Sequence, residues 1–252
     1  MKTIQSVKNP QVKQWKKLLT KKERDKTGTF LIEGFHLVEE ALMQLDTVLE
    51  LIISEKVNLP PRLDYGSVSV TYVTEEISKE LSDTEAPQGI YAVCRQIESA
   101  TVLQDARCLL LIDAVQDPGN LGTMIRTADA VGVDAVIVGQ GSVDLYNPKV
   151  LRSAQGSHFH LPITSGDLTE WICRLKEKNI PVYGTALEKA RVYTEAKPGS
   201  QFALIVGNEG NGVSEEILTQ TDANLYIPIY GKSESLNVAV AAGILLYYLK
   251  HH

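Results

Sequence analysis

A chain of 252 residues is long enough for one or two compact domains with a sizeable core, and 44 % apolar with 22 % charged residues excludes a disordered, collagen-like or disulfide-scaffold protein. Cys94, Cys108 and Cys173 show no CxxC spacing, so we expect three core thiols and neither a disulfide framework nor a metal site. The longest strongly apolar stretch, 238–249, is 12 residues against the ~20 that span a bilayer, and the start MKTIQSVKNPQVKQWKK lacks an apolar signal core; a cytoplasmic protein is expected.

The net charge of −6 is unevenly spread. Residues 1–26 hold nine bases and two acids, a net +7, leaving −13 for the remainder. A basic block on an acidic body suits the grip of a polyanion such as a nucleic acid, with Lys13, Lys16 and Lys17 as candidate phosphate contacts. The competing reading is a solvated amphipathic helix, because Val12, Trp15, Leu18 and Leu19 recur at helical spacing. From Phe30 the pattern predicts strands at 30–32, 48–53, 68–73 and 90–94 and helices at 35–45 and 75–81, a small α/β domain ending at residue 97. Residues 98–107 read as a linker. Five continuous apolar runs follow, at 108–112, 135–138, 181–184, 202–206 and 225–229, separated by helical patterns near 120–131, 167–178, 212–219 and 235–250. Continuous hydrophobicity means strands covered on both faces, hence a mostly parallel sheet in a second domain, 108–252, whose ligands bind beyond the carboxyl ends of its strands.

Three loops after these strands are unusual. In the first, DAVQDPGNLGTMIRTADAVG at 113–132, Asn120 is a candidate helix cap; Leu121, Met124, Ile125, Ala128 and Val131 then share an arc and Arg126 points away from the core. An ordinary ion pair of Arg126 with Asp129 competes with a functional role. The second, GNEGNG at 207–212, matches neither the dinucleotide fingerprint nor the P-loop, and its glycines permit close backbone approach or simple turns. The third, YIPIYGKSESLNVAVA at 226–241, offers Ser233 or Ser235 as a cap for a final helix that is apolar nearly all round, buried in the core or against a second subunit. His158 and His160 fall on an expected strand ending at Pro162 and read as structural.

In this order and at these separations, DPGNLGTMIRTADAVG at 117–132, LIVGNEGNGV at 204–213 and IPIYGKSESLNVAVA at 227–241 resemble the motifs of the SpoU (TrmH-like) branch of the SPOUT RNA methyltransferases. FLIEGFHLVEEAL at 30–42 resembles, more loosely, the small substrate-binding domain of ribosomal RNA members. The resemblance implies a catalytic domain with a parallel sheet and a trefoil knot, preceded by an RNA-binding domain, and a homodimer. It implies S-adenosylmethionine held by Thr185, Gly207, Asn208, Gly210, Ile227 and Leu236. Methyl transfer to a ribose 2′-hydroxyl would be carried by Arg126, with Asn120, Glu209, Ser235 and Asn237 orienting it and the sugar. For Glu209 the competing reading is a carboxylate at a helix N-terminus; for Arg152, a phosphate candidate in KVLRSAQG at 149–156, it is a surface ion pair. The expected substrate is structured RNA, ribosomal rather than transfer RNA. A tRNA 2′-O-methyltransferase is the first alternative and a non-catalytic RNA-binding protein of the same fold the second, and a nucleotide-binding metabolic enzyme lacks its signatures here.

Overall fold

The computed structural model describes residues 2–61, 63–97, 102–197 and 199–251. The chain forms two compact units, Met1–Ile97 with Tyr146–Phe159, and Glu98–Leu145 with His160–His252. The segment 146–159, expected in the second domain, therefore packs with the first. Its Leu151 and Phe159 are buried in that unit's core, and the Tyr146 ring lies 4.5 Å from that of Phe30. Residues 98–101 of the expected linker lie outside the described residues. Its later part is a 3-10 turn, Val102–Asp105, and Leu103 and Ala106 are buried in the second unit.

In the first unit β1 (Lys2–Ile4) precedes α1 (Pro10–Lys17), which Asn9 caps by accepting from the Gln11 amide at 2.8 Å, with Pro10 opening the helix where no amide is required. Val12, Trp15 and Leu18 are buried against Ile52, Val73, Ile77 and Tyr91, so the apolar stripe faces inward and Lys13, Lys16 and Lys17 face water. A turn after α1 leads to α2 (Lys21–Thr27), and then come β2 (Thr29–Glu33), α3 (Phe35–Leu42), β3 (Val48–Ser54), β4 (Ser69–Val73), α4 (Glu75–Leu81) and β5 (Ile90–Arg95). The sheet order is β1-β4-β3-β5-β2, with β5 antiparallel to both of its neighbours. Helices α1 and α4 cover one face of it, while α3 packs on the other.

The second unit holds β6 (Cys108–Ile112), α5 (Pro118–Val131) and β7 (Ala135–Gly139). The chain then leaves for α6 (Pro148–Ala154) in the first unit. It returns through β8 (Ile163–Gly166), α7 (Leu168–Glu177), β9 (Val182–Thr185), β10 (Arg191–Val192), β11 (Phe202–Val206), α8 (Glu215–Leu218), β12 (Ala223–Tyr226) and α9 (Val238–His251). All seven strands are parallel, in the order β10-β12-β9-β11-β6-β7-β8. The strands expected at 108–112 and 202–206 form as written and pair directly, β6 with β11, so the loops that follow them emerge side by side at the carboxyl edge.

Several expectations are corrected. Residues 157–159 form a 3-10 turn, and the strand begins after Pro162, which has no amide to give to a ladder. Cys94 and Cys108 are buried, and burial pushes the Cys94 thiol well above its ordinary range; Cys173 is exposed, because on α7 it is Ile172 and Leu175 that face the core. The closing helix has two sides: Ala239, Ala242, Leu245, Leu246 and Leu249 are buried, whereas Val240, Ile244 and Tyr247 are exposed.

Candidate active site

Helix α5 begins three residues earlier than Asn120 would allow as a cap. Asp117 is the cap, its Oδ1 accepting from the Asn120 amide at 2.8 Å, and Pro118 supplies the first helical residue. This correction frees the Asn120 side chain for another task. Its Nδ2 donates to Glu209 Oε1 at 3.0 Å, and its Oδ1 accepts from Asn237 Nδ2 at 2.9 Å. Asn237 Oδ1 in turn accepts from the Ala239 and Val240 amides, so Asn237 caps α9 in place of Ser233 or Ser235. One hydrogen-bonded chain, Glu209–Asn120–Asn237, thus ties together the three loops that the sequence singled out.

Glu209 is also clamped from the side of α5, with Oε1 accepting from the Asp117 amide at 3.0 Å and Oε2 from the Gln116 amide at 3.1 Å. Desolvation pushes its carboxyl upward, but the donors on Asn120, Asp117 and Gln116 together outweigh that and hold it below the usual carboxylate range. Asn208 closes its own loop. Its side chain donates to the Ala114 carbonyl at 2.9 Å and accepts from the Gly210 and Asn211 amides, and its backbone pairs with that of Gly212. Gly212 adopts φ +70°, a left-handed conformation that glycine takes without penalty. A Cβ on Gly207 would lie 2.1 Å from Gly212 C and Val213 N, so only glycine lets the loop fold back so closely.

These loops wall a cleft of about 610 Å³ at the carboxyl edge of β9, β11 and β12. Thr185, Gly207, Asn208, Gly210, Ile227 and Leu236, all six residues expected to bind the cofactor, line it, as do Glu209, Ser235 and Asn237. Thr185 Oγ1 donates to the Ile205 carbonyl, which orients this wall. Unanticipated lining residues include Ala186, Leu187, Tyr226 and Leu245. The first two follow β9 directly, and the carboxyl-edge rule could have found them. The cleft has the size of a small-molecule site, with apolar walls from Ile227, Ile229 and Leu236 and backbone brought close at Gly207. It fits a nucleoside with a short polar tail, as in S-adenosylmethionine.

Arg126 is exposed on α5, and among the described residues no hydrogen bond or ion pair engages its guanidinium. The ordinary pair with Asp129 is not formed, since Asp129 Oδ2 instead lies 3.2 Å from His160 Nδ1. Arg126 and Asn120 stand outside the cleft lining, and Asn120 reaches it through Asn237. The four residues expected to meet RNA phosphates all belong to the first unit. Lys13 and Lys17 are exposed, Lys16 pairs with Glu80, and Arg152 takes the ion-pair alternative with Asp83, Nη2 to Oδ2 at 3.0 Å.

Comparison with known proteins agrees with this geometry. Residues 107–247 match the SpoU rRNA Methylase family, and residues 9–92 match the MRM3-like substrate binding domain. The chain is 54 % identical over 250 residues to the 23S rRNA (guanosine(2553)-2′-O)-methyltransferase RlmP of Bacillus subtilis, covering 99 % of this chain and all of that one. Among solved structures, the AdoMet-bound rRNA methyltransferase of Sinorhizobium meliloti superposes with a TM-score of 0.89 at 30 % identity, covering 100 % of this chain and 98 % of its own. The SpoU methyltransferase AviRb of Streptomyces viridochromogenes, in complex with AdoMet, reaches 0.84 at 27 % identity and covers 95 % and 96 %. With both family matches in the expected order and a relative aligned from end to end, the chain belongs to the SpoU rRNA methylase family.

Proposed function

We propose that this protein transfers the methyl group of S-adenosylmethionine to a ribose 2′-hydroxyl of ribosomal RNA, and that its target is a guanosine of 23S rRNA, as in the Bacillus subtilis relative. The observation that carries the reading is the Glu209–Asn120–Asn237 chain, which locks three loops around the cleft and leaves the Arg126 guanidinium unengaged. The bound cofactor supplies an activated sulfonium methyl. The protein must hold the sugar oxygen in line with that methyl, an alignment that can contribute up to ~7–11 kcal/mol of the barrier. It must also favour negative charge on the oxygen as its proton leaves to water. A guanidinium is a permanent cation with donors and no acceptor, so the role of Arg126 is to stabilise the developing alkoxide and position a neighbouring phosphate rather than to act as a base. Glu209, held down as a carboxylate and occupied by three donors, fixes Asn120, which with Asn237 and Ser235 orients the ribose.

Two further features belong to the same proposal. The exposed stripe Val240, Ile244 and Tyr247 on α9 supports a homodimer through this helix. The return of α9 onto α5 and β11, after β12 has paired on the far side of β9, supports the knot. The decisive experiment is Arg126→Ala with unmethylated 23S rRNA: methyl transfer is lost while calorimetry finds cofactor affinity within a few-fold of the parent. Unchanged turnover overturns the assignment.

A further inference from the structure

Tyr230 is 96 % exposed, more so than any other aromatic residue described. Among the described residues its ring stacks on nothing and its hydroxyl has no hydrogen-bond partner. Other tyrosines of this unit are engaged: Tyr183 is buried, and Tyr193 packs edge-on to Tyr248 at 5.0 Å. The loop that carries Tyr230 is nevertheless anchored at both ends. In this loop, 227–237, Ile227 and Ile229 line the cleft on one side of Tyr230 and Asn237 is tied to Asn120 on the other. A hydrogen bond from Ser233 Oγ to the Ser235 carbonyl shapes the stretch between. Lys232, also exposed, follows two residues later.

Sequence-specific recognition of RNA targets loops, bulges and ends, whose unpaired bases are splayed out and stacked on aromatic side chains, and an enzyme that selects one ribose of a ribosomal RNA needs such a contact. An exposed aromatic ring two residues from an exposed lysine, on a loop anchored at both ends to the reacting site, is a platform on which such a base stacks. We propose that Tyr230 is an RNA-binding residue whose ring stacks on an unpaired nucleobase of the segment carrying the target ribose, with Lys232 meeting the adjacent phosphate. This rests on the RNA methyl-transfer reading above.

The test uses the full chain and in vitro-transcribed 23S rRNA as the probe. Tyr230→Ala raises KM for the RNA about tenfold, equivalent to about 1.4 kcal/mol and within the range for one stacked base. Its affinity for S-adenosylmethionine and its melting temperature stay at parent values. Tyr230→Phe, which keeps the ring and loses only the hydroxyl, restores KM to within about twofold, an outcome that a hydrogen-bonding role would not give. Equal KM for Tyr230→Ala and the parent overturns the inference. So does conversion of Tyr230→Ala from dimer to monomer, which would place the ring in a subunit contact. If the parent itself fails to methylate this RNA, the underlying reading falls instead, and the two failures are thereby told apart.

Discussion

Gly207 tolerates no side chain, because the loop it begins returns to within 2.1 Å of where a Cβ would stand. Gly207→Ala must displace the backbone of 212–213, an overpacking cost of about 1–3 kcal/mol. Since the same backbone walls the cleft, calorimetry should show cofactor affinity reduced more than tenfold, with a melting temperature several degrees lower. Glu209 carries a pH signature. Its folded carboxyl lies below the ordinary range, so its contribution is fully present above the unfolded value of ~4.3 and is lost as pH falls through the folded value. Cofactor affinity should therefore be free of a Glu209 titration between pH 6 and 9 and weaken only in acid, as pH falls through the lowered folded value. In Glu209→Gln the affinity should already be reduced at pH 7, and titration calorimetry across this range checks both.

The helices show how one element serves packing and chemistry at once. Helix α5 turns Leu121, Met124, Ile125 and Ala128 inward, which sends Arg126 out by the 3.6-residue repeat alone. Helix α9 looked uniformly apolar in sequence, and only its packing separates the buried Leu245 from the exposed Ile244. A charge at Leu245 would therefore disrupt the protomer and say little about assembly. Ile244→Glu is the informative change: if α9 forms the proposed subunit contact, sedimentation should show a parent dimer converted to monomer, with the melting temperature of the protomer largely preserved.

At the scale of the molecule, the basic start of the chain is both a structural element and an RNA-binding candidate. Strand β1 pairs with β4, and Val12, Trp15 and Leu18 are core residues, so removing residues 1–26 would damage the first unit rather than report on charge. Neutralising the exposed Lys13 and Lys17 to Gln leaves that core intact. If both meet phosphate, the logarithmic salt dependence of RNA affinity should flatten by about 1.4–1.8, and filter binding across a salt series would reveal an unchanged slope if they merely solvate the helix.

The sequence by itself determined the central strands of the second sheet, β6, β7, β9 and β11, whose apolar runs match the observed strands to within one residue. The run at 225–229 does not match, because the strand is Ala223–Tyr226 and 227–229 continue as a wall of the cleft. The sequence also marked the three loops, through residue types that turns and caps require. The edge strands β1 and β10 were not legible, because three and two residues carry too little pattern and exist only through their partners β4 and β12. Nor was the allegiance of 146–159, which is decided by where Tyr146, Leu151 and Phe159 find apolar surface in another part of the chain. The clearest case is Asn120. Local rules allowed it to cap a helix, and Asp117 with Pro118 displaced it from that role. Only the adjacency of β6 and β11, which sets Glu209 beside the start of α5, together with the return of α9, converted three separate loops into one hydrogen-bonded site. Such contacts join residues some ninety to a hundred and twenty positions apart. No local preference encodes them, because they follow from the order of strands in the sheet.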